Sequence, residues 1–128
     1  MSFTFPLEAL LAQRRAVENA KRQILARAQG RLDEIQVRLN RLESDFSARV
    51  NAWDPDSAAT IAELERSIAE LRAVARRYSD EADAARAALL PAMRDRKALE
   101  LLKKRRLAEF AARQARKEER ELDEANQA

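Results

Sequence analysis

The sequence predicts an all-α fold, a long two-helix antiparallel coiled-coil hairpin with a C-terminal helical overhang, on three observations. Glycine occurs once and proline three times in 128 residues, so sandwiches, barrels and βαβ arrays lack the residues their positive-φ turns need. Apolar residues recur seven apart along much of the chain. One short sequence, Trp53-Asp54-Pro55-Asp56-Ser57, has the composition of a sharp turn. The length fits a single coiled-coil domain, residues 1–128.

The first helix is expected over about residues 5–53. Leu25, Leu32, Leu39, Phe46 and Trp53 fall seven apart, and Ala28, Ile35 and Leu42 fill the position three residues on, with Arg49 the exception. Leu10, Val17 and Ile24 form a second series one position out of phase, which predicts a slip of the stripe near Ile24 and Leu25. Gly30 costs about 1 kcal/mol against alanine, less than the roughly 1.5–3 kcal/mol returned by burying Leu32 or Ile35, so the helix should run through it. The turn falls at about 53–56, with Asp54 as N-cap and Pro55 in the first helical position, where its missing N–H does no harm. Trp53 either closes the seam, as its spacing favours, or stands out as an anchor for a partner.

The second helix is expected over about 55–122. Ile61, Leu64, Ile68, Leu71, Ala75, Tyr78, Ala82, Ala85, Leu89 and Ala92 keep the three-four spacing without a miss. Folding back at about residue 54 sets position i against roughly 108 − i, so that Phe46 and Leu42 meet Ile61 and Leu64, and Ile35 meets Leu71. Pro91 interrupts good helix formers with no turn residue beside it, which predicts a kinked but continuous helix. At about 1.5 Å per residue the helices reach about 70 and about 100 Å, so the second outruns the first from near residue 105. Residues 123–128 should fray.

Composition removes most chemistry. Cysteine and histidine are absent, which excludes disulfides, thiolate nucleophiles, imidazole bases and the usual zinc or haem ligands. There is no glycine-rich phosphate loop, and carboxylates such as Glu63 and Glu70 or Glu118 and Glu119 read as solvated helix surface. A seam between two helices offers no concave site, so the chain is expected not to be an enzyme and to use no cofactor, metal or small-molecule substrate. No apolar run approaches the roughly 20 residues that span a bilayer, and no basic leader precedes an apolar stretch, which predicts a cytoplasmic protein.

Charge and leftover apolar surface point to binding. Net charge is +3 over residues 1–53, −3 over 54–93, +6 over 94–120 and −3 over 121–128. Arg94, Arg96, Lys97, Lys103, Lys104, Arg105 and Arg106 make the densest basic band, suited to phosphates or to an acidic protein surface. A basic zipper needs leucine heptads after the band, and single-strand binding needs stacking aromatics; Phe110 is the band's lone aromatic, so nucleic acid is not the expected partner. Phe3, Phe5, Leu7, Leu10 and Leu11 make the amino terminus apolar, with Pro6 suited to a first helical turn. This segment reads as a staple onto Leu99, Leu101 and Leu102. Neither Leu10 and Leu11 nor Leu101 and Leu102 can both face one helix, so some apolar surface is left for another protein.

Two segments carry a resemblance. The opening FTFPLEALLAQRRAVENAKRQILARA and the closing RDRKALELLKKRRLAEFAARQARKEERELDE resemble the flagellar export protein FliJ family, and less closely the stalk proteins of virulence type III secretion. Phe5, Pro6 and Leu7 at the start and Leu122, Asp123 and Glu124 at the end discriminate most. The resemblance implies a non-enzymatic stalk of the flagellar type III export apparatus, at the cytoplasmic face of the inner membrane. Its terminal end enters a hexameric export ATPase, promoting ring assembly and activity, and it links the ring to the membrane gate protein and to export chaperones. Carried onto this chain, the ATPase-facing residues are Leu10, Leu11, Arg14 and Arg15 on the first helix and Lys103, Lys104, Arg105, Arg106, Phe110 and Arg113 on the second. The alternative is a generic structural or nucleic-acid-associated coiled-coil adaptor.

Overall fold

A computed structural model describes residues 2–127 of the chain. Two long helices pack against each other as an all-α hairpin, with no strand among the described residues: α1, Glu8–Asn51, and α2, Ala58–Gln127. A single 3-10 turn, Pro55–Ser57, precedes α2. The packing divides into two compact units, Met1–Asn19 with Leu90–Ala128, and Ala20–Leu89.

The turn forms as its residues require. Asp54 has extended backbone, and its carboxylate accepts from the Asp56 N–H at 2.7 Å and the Ser57 N–H at 3.1 Å. Pro55 follows at the first turn position, which needs no donor. Ala52 still donates to the Ala48 carbonyl, so α1 closes tightly before the reversal. Trp53 therefore lies beyond the helix and is 60% exposed; it does not close the seam, because the helix that would have aimed it inward ends at Asn51. Glu8 in the first turn of α1 and Arg49 in its last complement the helix dipole.

In unit Ala20–Leu89 the heptad stripe packs as its spacing requires. Ala28, Ile35 and Leu39 are buried against the other helix's Ile68, Ala75, Ala82 and Leu89, with Leu25, Leu32, Leu42, Phe46 and Leu71 half-buried. The register differs from the symmetric fold-back. Phe46 shares a groove with Glu65 and Ile68, and Leu39 one with Ala75, about one helical turn further along α2 than expected. Folding about a single residue takes no account of the capped 3-10 turn that occupies the reversal. Exposed pairs Arg72–Glu43 at 3.2 Å and Arg31–Glu81 at 3.9 Å flank this seam and contribute little to stability. Gly30 sits on the open face of α1 with nothing within 4 Å of where a Cβ would stand.

In unit Met1–Asn19 with Leu90–Ala128 the stripe is not where the apolar spacing put it. Leu11 is fully buried and Glu18 is 4% exposed, while Ile24 beyond them is half exposed. Positions 11 and 18 are in phase with Leu25, so burial follows one unbroken seven-residue series and the slip expected near Ile24 is absent. Position 18 carries a carboxylate, which no apolar spacing marks as a seam residue and which the seam accepts through its pairing with Arg96. Leu10 and Val17 flank the seam half-buried.

Helix α2 continues through Pro91 without a break, with Pro91 itself exposed and Leu89 and Ala92 buried on either side. The expected end near residue 122 gives way to a helix running to Gln127, because Ala125 and the preceding Glu and Leu residues favour continuation. Of the tail expected to fray, Ala128 lies outside the described residues. Residues 2–5 have no regular secondary structure and Pro6 and Leu7 form a turn, so α1 begins three residues later than expected. The Glu8 N–H donates to the Phe5 carbonyl at 3.1 Å and Leu11 to Leu7 at 2.9 Å, the second being the first regular helical bond.

Two substitutions check this packing by urea denaturation. Gly30→Ala should raise stability by about 0.5–1 kcal/mol, since the methyl meets open space and only the helical penalty of glycine is removed. Leu11→Ala should lower it by about 2–5 kcal/mol, the effect of emptying a sealed leucine site.

Candidate functional site

The charged residues of the two chain ends meet in a cluster that begins inside the seam. Arg96 Nε donates to Glu18 Oε2 at 2.6 Å and Nη2 to Glu18 Oε1 at 3.0 Å, a two-pronged pairing of planar groups. Its remaining Nη1 donates to Glu100 Oε2 at 3.0 Å, and Arg15 Nη2 reaches Glu100 Oε1 at 3.4 Å. Arg14 approaches Asp95 at 3.7 Å, and Lys103 Nζ lies 2.8 Å from Glu8 Oε2.

Hydrogen bonding from Glu18 first, and from Glu100 second, holds the Arg96 guanidinium protonated well above its ordinary value. The Arg96 hydrogen bond, with a smaller contribution from Arg15, holds the Glu100 carboxyl below the usual glutamate value against the opposing effect of desolvation. No buried side-chain polar atom among the described residues lacks a partner, so the cluster is satisfied rather than poised for proton transfer.

Beside the cluster, residues 2–7 run as a strap along α2. Phe5 is buried and Phe3 half-buried, while Ser2 and Thr4 face solvent, so burial alternates with a period of two. The Phe3 and Phe110 rings pack tilted, 48° between planes and 5.7 Å between centroids, an arrangement worth about 0.5–1.5 kcal/mol beyond the area it buries. The staple therefore lies further along α2 than expected. Leu102, Arg106, Phe110 and Arg113 join the strap around a crevice of about 440 Å³, whereas Leu101 is 58% exposed. The exposed overhang begins after Gln114 rather than near residue 105, because the strap covers the intervening turns.

The ten residues expected to face a partner thus fall into distinct settings, all within one unit. Leu11 is internal packing and Leu10 is half-buried beside it. Arg14, Arg15 and Lys103 are engaged in ion pairs with α1 or α2 carboxylates. Lys104 and Arg105 are exposed and make no ion pair among the described residues. Arg106, Phe110 and Arg113 line the crevice. Sequence reading missed Glu18 and Glu100; the signal available was that position 18 lies seven from both Leu11 and Leu25.

No group of three or more metal-ligating side chains occurs among the described residues, and no helix among them is long and apolar enough to cross a membrane. A helical hairpin whose two chain ends are joined by charge, with basic and apolar side chains left on the outside, is the build of a protein-binding scaffold. The family model described as flagellar FliJ protein matches residues 3–128, essentially the whole chain, and the chain belongs to that family. Membership makes it a component related to flagellar type III protein export and associated with that apparatus. No curated protein and no solved structure matches the chain with significance.

Two measurements check the cluster. Glu18→Leu or Arg96→Met alone should lower the urea midpoint by breaking the two-pronged pairing inside the seam, while the double variant should recover part of the loss, since paired apolar replacements can equal or exceed a buried ion pair. Glu100 has a depressed pKa, so its contribution is complete above the ordinary glutamate value and disappears as pH falls through that value toward the lowered one. Glu100→Gln should therefore flatten the decline of stability with acidification below about pH 5.

Proposed function

We propose that this chain is a non-enzymatic stalk of the flagellar export apparatus, and that the unit holding both chain ends inserts into the hexameric export ATPase. The observation that carries this reading is the juxtaposition, in one unit, of the expected ATPase-facing residues of both helices, joined by the Arg15–Glu100 and Lys103–Glu8 pairs. Lys104 and Arg105 are exposed on α2 there, Arg106 and Arg113 line the crevice beside them, and Leu101 and Leu107 are exposed nearby in the chain.

The mechanism needs differential contact. A single asymmetric stalk inside a sixfold ring touches subunits unequally, and a stalk that bound every subunit state equally would shift no equilibrium. Basic side chains at 104–106 accelerate encounter with an acidic pore and make it salt-sensitive; Phe110 and the leucines supply attraction that salt screens less. Leu11 and Lys103 act from within, fixing the spacing of the two ends. The same stalk links the ring to the membrane gate protein and to export chaperones at the cytoplasmic face of the inner membrane.

Replacing Lys104 and Arg105 by alanine leaves the Lys103–Glu8 pair and the crevice arginines in place and tests the exposed charge alone. Association with the purified ring should slow on the order of tenfold at low ionic strength, with the difference shrinking as salt rises. Stimulated hydrolysis should fall with it. An unchanged association rate and unchanged stimulation would remove these residues from the mechanism.

A further inference from the structure

We infer that the crevice under residues 2–7 is a docking site for an extended segment of a partner protein in which an apolar side chain adjoins a carboxylate, and that Phe3 holds this place in the free chain. The strap is built to leave. Among the described residues, its backbone is tied only near its end, where the Phe5 carbonyl accepts from Glu8 and the Leu7 carbonyl from Leu11. Ser2, Phe3 and Thr4 have no backbone hydrogen bond there, so Phe3 is held by its ring alone. Phe5 is buried and anchors the strap, whereas Phe3 is half-buried on Phe110. Lifting the first residues disturbs neither helix.

Charge complementarity identifies what would replace them. Arg106 and Arg113, two helical turns apart on one side of α2, line the crevice and make no ion pair among the described residues. Glu109 lies between them and offsets one of the two charges, which leaves the site basic. Residues 2–7 are Ser, Phe, Thr, Phe, Pro and Leu, without an acid, and the following Glu8 is taken by Lys103. The strap satisfies the apolar wall and leaves the guanidinium groups unmatched. A segment carrying both an apolar side chain and a carboxylate satisfies both, and guanidinium forks favour the carboxylate among anions that a protein segment carries.

This inference rests on the stalk reading only for the source of the segment, an ATPase subunit, and its test omits the ring. The probe is a fluorescein-labelled octapeptide with one phenylalanine flanked by glutamates and serines, titrated with the full chain at low ionic strength and read by anisotropy. A strap closed roughly nine-tenths of the time reduces apparent affinity about tenfold, so Phe3→Ser should bind the peptide about ten times more tightly than the unaltered chain. Phe3→Leu, which keeps an apolar cover, should stay near the unaltered chain. Arg106→Ala with Arg113→Ala should abolish the gain in the Phe3→Ser background. Phe3 precedes α1, so loss of folding does not confuse the result, and a chain lacking residues 2–4 should repeat it. Binding by Phe3→Ser no tighter than by the unaltered chain, or full binding without the two arginines, would overturn the inference. Failure of the ring assay leaves the peptide result standing, and the reverse also holds.

Discussion

A carboxylate and a guanidinium enclosed in the seam, Glu18 with Arg96, set the alignment on which the chain-end unit depends. In the same unit the seam also holds small and aliphatic residues, Leu11 and Ala92 among them, which tolerate sliding because apolar contact has no direction. The ion pair does not tolerate it. Moving α2 by one turn would bring Glu18 opposite Ala92 or Glu100, an absent partner or a like charge, and burial makes either costly. The positions of Lys103 beside Glu8 and of Phe110 beside Phe3 follow from this alignment. A charged layer inside a coiled coil gives up some stability and selects one register.

Most of the architecture was readable because heptad spacing, scarce glycine and an Asp-Pro turn act locally. The whole apolar series on α2 from Ile61 to Ala92 is buried or half-buried, and the Asp54 cap forms as its chemistry requires. What could not be read depends on residues distant in the chain. Position 18 accepts a glutamate only because Arg96 stands across from it, and no window around residue 18 contains that information. The same holds for residues 2–7, whose alternation of aromatic and small polar side chains is too short to distinguish from a helix start without knowledge of the α2 surface they cover. Trp53 fits its heptad position, but helix termination two residues earlier removes the direction that the position implies.

The ten residues that the family resemblance implies should face a partner differ in their settings. They do gather in one unit, yet several already serve the chain itself: Leu11 as packing, Arg14, Arg15 and Lys103 as ion-pair partners. Family membership places the protein with flagellar export, and the physical division of labour within the set suits a binding scaffold: internal residues hold two helix ends in fixed relation, and outward ones remain available. Exposed ion pairs elsewhere, such as Arg86 with Asp83, follow from spacing along one helix and add little.

The exposure of Trp53 has a spectroscopic consequence. It is the chain's single tryptophan, and in the folded protein its indole already stands largely in water at the bend. Emission from this chain therefore begins close to the wavelength of a solvated indole, and melting of the helices moves it little. No second tryptophan competes with this fluorophore, so anything that settles on the bend and covers the indole will report itself by a blue shift, while events at the chain ends pass unseen.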